Sequence, residues 1–143
     1  MKWFIYVFLF FGTMSIMPFS EWAYSKAAVA AQKNDWDLAH SRMSDLVIDA
    51  SERPDVLYDA GVAAYKTENH ESAHAYFEQA AHYAQQNDLK EQAYFNAGNA
   101  AVEINNLENA IVQYEKVLEI NPENSYAQHN LEVVKQMLEQ QQQ

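Results

Sequence analysis

Five consecutive residues, His70-Glu71-Ser72-Ala73-His74, have the spacing of a zinc hydrolase motif. On a helix, histidines four residues apart lie on one side, one turn apart, and the intervening glutamate is poised to activate a zinc-bound water. A catalytic zinc needs a third protein ligand, and Glu91 or Glu103 lies at a suitable sequence distance. The same residues have a second reading. Ala73 is the small packing residue of a repeated pattern, and His70 falls in a hairpin-end slot that Trp36 and Leu107 hold in the other copies. No other catalytic constellation is present: there is no glycine-rich phosphate loop, no G-x-S-x-G elbow and no cysteine. His40, His82 and His129 are isolated in sequence and expected at the surface. The carboxylates are scattered over solvent faces.

The elements that would position these residues follow from a pattern that occurs three times. Ala39, Ala73 and Ala110 are each followed four residues later by a large apolar residue: Met43, Phe77 and Tyr114. The alanines are spaced by 34 and 37 residues, the period of a repeated helix-turn-helix unit. Tyr94-x-x-Ala97-Gly98-x-x-Ala101 precedes the third alanine, and Leu57-x-x-Ala60-Gly61-x-x-Ala64 precedes the second. In the first copy Ala23-x-x-Lys26-Ala27-x-x-Ala30 has lost the glycine. Glycine inside a helix costs roughly 1 kcal/mol relative to alanine, so its recurrence in register points to close approach of two helices. Ala73 and Ala110 are the small partners expected opposite Gly61 and Gly98. Asn34-Asp35, Glu68-Asn69 and Asn105-Asn106 fall at the turns, and Pro54 falls at a helix start, where its missing N–H is harmless.

These residues, closed by Pro122 in the third copy, resemble the tetratricopeptide repeat. The fold class expected is all-α: a right-handed superhelical array of three helix-turn-helix hairpins, at about residues 20–53, 54–90 and 91–124. A capping helix over 125–139 follows, with Tyr126, Leu131, Val134, Met137 and Leu138 on its apolar side, and glutamines 140–143 form a tail. The extra residues near 86–90 are expected to lengthen a helix or its connection.

Residues 3–19 carry no charge and are long enough for a short membrane span. They read as an N-terminal hydrophobic helix that anchors the chain. The alternative is a cleaved export signal, with Ala23-Tyr24-Ser25 as the cleavage region, but that cut would remove half of the first repeat's first helix. With Lys2 on one side and Lys26 and Lys33 on the other, the charge rule is nearly balanced. The behaviour of short N-terminal signal-like segments places the repeats outside the bacterial cytoplasmic membrane, on its periplasmic or outer side; in a cell of different topology the same segment would hold them at the cytosolic face. The net charge of −11, from twenty acidic and nine basic residues, argues against nucleic acid as a partner. The 143 residues supply one domain.

Removing the packing positions from each first helix leaves the residues expected on the concave face. They are Glu21, Tyr24, Ser25, Ala28, Ala31 and Gln32 in the first hairpin, then Asp55, Tyr58, Asp59, Val62, Tyr65 and Lys66 in the second. The third contributes Gln92, Phe95, Asn96, Asn99, Val102 and Glu103. Aromatics interleaved with amides suit an extended peptide, the rings anchoring apolar side chains and the amides bonding to backbone. Lys66 is the one cation among the groove positions of the second and third hairpins, which disfavours capture of a carboxylate-terminated chaperone tail. The competing reading is that Tyr58, Tyr65 and Phe95 are inter-repeat core.

Phe95-Asn96-Ala97-Gly98-Asn99-Ala100, Leu107-Glu108-Asn109-Ala110, Asn121-Pro122, His129-Asn130-Leu131-Glu132 and the terminal glutamines are similar to the repeat proteins of bacterial aerotolerance (Bat-type) gene clusters. That resemblance implies partners of two kinds, von Willebrand factor type A membrane proteins and a MoxR-type AAA+ ATPase. The function expected is a membrane-tethered, non-catalytic adaptor without cofactor. Self-assembly into a homo-oligomer through the concave face or last helix is the second binding reading, and a zinc hydrolase is the reading from another class.

Overall fold

The computed structural model describes residues 19–49 and 51–143. They form seven helices: α1 (Phe19–Gln32), α2 (Trp36–Asp49), α3 (Pro54–Lys66), α4 (His70–Tyr83), α5 (Asn87–Glu103), α6 (Leu107–Ile120) and α7 (Ser125–Gln141). Each helix packs chiefly against the one before it and the one after it, so the described residues form three hairpins and a closing helix. The inserted residues near 86–90 extend α5, which starts at Asn87 and runs for 17 residues. α7 begins where the cap was expected and continues into the glutamine tail. Of the expected hydrophobic helix, residues 1–18 lie outside the described residues, and Phe19 opens α1. No described helix is long and apolar enough to cross a membrane.

The three hairpin turns share one backbone solution. Asp35, Asn69 and Asn106 donate their N–H groups to Ala30, Ala64 and Ala101, while Asn34, Glu68 and Asn105 donate to Ala31, Tyr65 and Val102. This is the paired bonding of a Schellman turn, which satisfies carbonyls left over at a helix C-terminus and needs a left-handed residue at its centre. Asn34, Glu68 and Asn105 supply it with φ of 58°, 61° and 57°. Asparagine tolerates this conformation better than glutamate does. The next residue starts the second helix of the hairpin. Asn69 and Asn106 accept the N–H of Ser72 and Asn109 on their side chains, and the Asp35 carboxylate accepts that of Leu38.

The glycine contacts differ from the sequence expectation in an instructive way. A Cβ on Gly61 would lie 2.7 Å from Cδ1 and Cε1 of Phe77, and one on Gly98 would lie 2.7 Å from Cε1 of Tyr114. The partner of each glycine is therefore the aromatic ring of the second helix, not Ala73 or Ala110. Those alanines are fully buried one turn earlier, Ala73 beside Phe77 and Ala110 beside Tyr114, each at the foot of a ring too broad to sit over a methyl group. The first hairpin meets the same constraint with different residues. Ala27 stands where the glycines stand, and Met43, sixteen residues on like Phe77 and Tyr114, replaces the ring. A thin, flexible thioether chain accommodates the extra methyl.

Alanines complete the seams: Ala60, Ala64, Ala80, Ala81, Ala93, Ala97, Ala100 and Ala101 are all fully buried. Small side chains along the contact lines let the helices approach closely, and the largest buried side chains, Met43, Phe77 and Tyr114, sit at the hairpin centres.

Gly61→Ala and Gly98→Ala are each expected to lower stability by roughly 1–2 kcal/mol, an overpacking cost partly offset by alanine's better helix propensity. Thermal unfolding followed by circular dichroism checks this. Combining Gly61→Ala with Phe77→Leu should cost less than the sum of the two, and strict additivity would refute the contact. Glu68→Asn should raise stability by about 0.5–1 kcal/mol by relieving the left-handed residue.

Candidate functional site

The histidine motif lies at the start of α4 and is built into packing. His74 has Nε2 2.9 Å from the side-chain oxygen of Asn109 and Nδ1 3.6 Å from Glu78. Glu78 and Asn109 also accept, at 2.7 and 2.9 Å, from the amide of Gln113, which is 1% exposed. These four side chains tie α4 to α6. The ring of His70 meets Tyr65 edge-on at 4.8 Å, and its buried Nδ1 has no hydrogen-bond partner among the described residues. His70 thus belongs to the hairpin end, as its slot implied. Glu91 and Glu103, the suggested third ligands, are engaged elsewhere, and no group of three His, Cys, Asp or Glu residues able to hold a metal occurs among the described residues. His40, expected to be isolated, is half-buried with Nδ1 3.1 Å from the hydroxyl of Thr67.

The first helices carry an aromatic ladder three residues ahead of each glycine position: Tyr24, Tyr58 and Phe95. Tyr58 packs on Phe77 with ring centroids 5.5 Å apart, and Phe95 packs on Tyr114 at 5.8 Å. Each tyrosine hydroxyl then reaches across to the residue beside the next rung. Tyr24 donates to Asp59, and Tyr58 accepts from the Asn96 amide at 2.9 Å. Farther along, Tyr65 donates to Glu103 at 3.3 Å, while Asn99 accepts from Tyr114 at 2.7 Å and from Asn130 of α7 at 3.3 Å. Burial pushes the hydroxyls of Tyr24, Tyr58, Tyr65 and Tyr114 above their ordinary pKa, so all four stay protonated and able to donate at neutral pH.

Along this ladder run three pockets of about 230, 260 and 200 Å³. Asn96 lines the first and second, and Tyr65 and Asn99 line the second and third, which makes them one continuous groove over α3, α5 and α7. Every position expected on the concave face of the second and third hairpins lines it except Asp55 and Asp59. Those two join the first hairpin to the second. Arg53 bridges Glu21 and Asp55, each at 2.6 Å, and stacks over Tyr24 at 5.6 Å. Lys66, the groove cation, lies 5.8 Å from the ring centre of Trp36. Tyr58, Tyr65 and Phe95 are half-buried and do both things weighed for them, packing on the core and facing the groove.

Sequence reasoning missed the wall supplied by α7. Asn124 and Tyr126 line the first pocket, and Asn130, Val133 and Met137 line the third. Tyr126, expected on the buried side, is 76% exposed. Ala127, seven residues and nearly two full turns before the buried Val134, takes the buried position instead and turns Tyr126 about 100° away. Counting seven residues back from Val134 was the signal available.

Three helical hairpins stacked in chain order and closed by a seventh helix, with a groove over α3, α5 and α7, define a helical-repeat array. Residues 91–124 match the tetratricopeptide repeat family model, and the domain as a whole folds as a tetratricopeptide-repeat array. None of the curated proteins matches the chain by sequence. The structure is similar to the first TPR domain of Spaghetti (RPAP3) bound to an HSP90 peptide, SRMEEVD, with TM-score 0.71, 21% identity, and coverage of 83% of this chain and 92% of that one. It is also similar to the second TPR domain of human RPAP3 in complex with an HSP70 peptide, SGPTIEEVD, with TM-score 0.68, 18% identity, and coverage of 79% and 92%. SycD, a type III secretion chaperone of Yersinia enterocolitica solved with a peptide of the translocator YopD, has TM-score 0.68, 17% identity, and coverage of 82% and 92%.

Asp55 and Asp59 are oppositely poised. Arg53 holds the Asp55 carboxyl below its usual range, whereas burial raises that of Asp59. A carboxyl raised in the folded state favours folding only in acid, and that benefit is lost as pH rises through its folded pKa. Asp59→Asn keeps an oxygen for Tyr24 and is therefore expected to be more stable than the parent at pH 7, the advantage vanishing below about pH 4. Asp55→Asn should be less stable at pH 7, by under about 1 kcal/mol because the pair is exposed, and should converge with the parent in acid. Urea unfolding at pH 7 and pH 3 checks both signs.

Proposed function

We propose that this chain is a non-catalytic adaptor that holds an extended segment of a partner protein in the groove over α3, α5 and α7. The observation that carries this is the continuity of the three pockets, with side chains pre-placed by the tyrosine and asparagine bonds between hairpins. An open groove lined by rings and amides matches the needs of a peptide, whose alternate side chains want apolar seats and whose backbone wants hydrogen-bond partners. Similar folds lend support: the RPAP3 domains and SycD were solved with peptides. The HSP90 and HSP70 peptides end in Glu-Glu-Val-Asp. This groove has Lys66 as its one lysine or arginine and is edged by Glu91 and Glu103, so it suits a neutral or basic segment rather than an acidic tail.

In the same proposal residues 3–19 tether the repeats to the bacterial cytoplasmic membrane, on its periplasmic or outer side. The support is the length and uncharged character of that segment. The resemblance to Bat-type proteins nominates von Willebrand factor type A membrane proteins and a MoxR-type AAA+ ATPase as partners. The histidines of the motif serve packing, which accounts for them without catalysis.

Affinity capture from detergent extracts of native membranes tests the proposal. A Tyr65→Ala, Val102→Ser variant with parental helicity should lose at least tenfold in capture of the partner. A control pair on exposed positions of second helices, Gln79→Ala and Glu119→Ala, should capture normally. Equal capture by both variants would remove the groove from function, and recovery of only the chain itself would favour self-assembly.

A further inference from the structure

The groove is not chemically uniform, and its first pocket holds a combination absent from the other two. Where α3, the start of α5 and the start of α7 meet, Tyr58, Phe95 and Tyr126 line a space of about 230 Å³ together with Glu91. Two of the rings are fixed from behind: Tyr58 by Phe77 and the Asn96 amide, Phe95 by Tyr114. The third, Tyr126, stands largely in solvent on the first turn of α7.

Glu91 is also held. Its Oε1 accepts from the side-chain amides of Asn121 at 2.9 Å and Asn124 at 2.7 Å, while Oε2 takes no hydrogen bond among the described residues. No lysine or arginine lines the pocket. The carboxylate is therefore fixed in orientation beside three aromatic rings, with no cation lining the pocket to offset its charge. An apolar side chain seated there would strip water from that charge without replacing its bonds. A planar guanidinium, in contrast, stacks on aromatic faces and donates N–H bonds in its plane to a carboxylate.

We propose that this pocket binds an arginine side chain of the partner segment, with Tyr58, Phe95 and Tyr126 supplying ring faces and Glu91 the counter-charge. The assignment rests on the groove reading above and deepens it. It sets the chemistry of one anchor: the segment is basic at the position that reaches the starts of α5 and α7. The net charge of −11 acts in the same direction, since it raises the encounter rate with a basic segment and lowers it with an acidic one.

The test uses the full chain, 15N-labelled in mild detergent, and three acetylated, amidated pentapeptides in which alanines flank a central arginine, norleucine or glutamate. Amide shifts of Gln92, Phe95 and Tyr126 report occupancy. The arginine peptide should bind at least fivefold more tightly than the norleucine peptide, and the glutamate peptide should bind least. Glu91→Gln keeps an oxygen for Asn121 and Asn124 but deletes the charge, and it should bring the arginine-to-norleucine ratio close to one. Tyr126→Ala, at an exposed site, should weaken the arginine peptide at least threefold with the melting temperature unchanged. Equal binding of the arginine and norleucine peptides would overturn the proposal and leave the groove adaptor standing. So would an arginine preference that survives Glu91→Gln, or no shift at these amides up to about 10 mM arginine peptide. The adaptor reading fails separately, through partner capture that ignores Tyr65→Ala, Val102→Ser.

Discussion

The flat seating of an aromatic ring on a glycine is the contact on which the rest of this structure depends. With no Cβ on Gly61 or Gly98, the rings of Phe77 and Tyr114 lie directly against the backbone of the first helix, and the two helices of each hairpin close on them. That closeness is what allows the surrounding seams to be made of alanine. The buried rings then serve as a floor. Tyr58 rests on Phe77 and Phe95 on Tyr114, so the residues that line the groove stand on the residues that hold the hairpins shut. A glycine three residues after an aromatic is thus one device with two outputs, a tight hairpin and an oriented surface ring.

The parts of this arrangement legible in the sequence are those decided locally. Asparagine at a left-handed turn, asparagine or aspartate capping the next helix and proline in a first helical turn act locally, and the repeat phase by itself marks all three hairpin turns. Contacts across hairpins were less legible, because they depend on which way a side chain leans. Position alone pairs Gly61 with Ala73, but the residue that reaches it is Phe77, one turn farther on, since side chains on a helix point back toward its N-terminus. Asp55 and Asp59 share the spacing of groove residues, yet Arg53 at the start of α3 and Tyr24 on α1 claim them. Arg53 stands two residues before Asp55, but nothing in the local sequence of α3 announces Tyr24, thirty-five residues away from Asp59.

α7 shows how an end element takes on a second role. A terminal helix must present a polar outer face, and its glutamines, glutamates and lysine do so. Its inner face does more than shield α6. Asn130 bonds to Asn99 on α5, and Asn124 holds the Glu91 carboxylate, so α7 fixes polar groups that a pure cap would only cover. Reading α7 as a solvating cap captured its amphipathic stripe and missed this, because the signal is a handful of amides whose partners lie about thirty residues away in the chain.

The second and third hairpins are tied to each other on both faces, and this bears on how the array can bind. On the groove side the ties are Tyr24 to Asp59, Asn96 to Tyr58 and Tyr65 to Glu103. On the opposite helices, the buried Gln113 links Glu78 and Asn109, and His74 closes the same cluster. That second set is costly, since the side-chain oxygen of Gln113 is buried without a partner among the described residues, and a buried polar group left unpaired works against folding. An apolar seam there would be cheaper but would let the second hairpin slide on the third. Directional bonds on both faces resist rocking as well as sliding, and they hold the groove at one width. A groove that is already ordered loses less conformational freedom when a segment enters it, so more of the contact energy remains as affinity. The His-Glu-x-x-His sequence that first suggested zinc chemistry is better understood in this light: His74 contributes to the rigidity on which recognition by the opposite face depends.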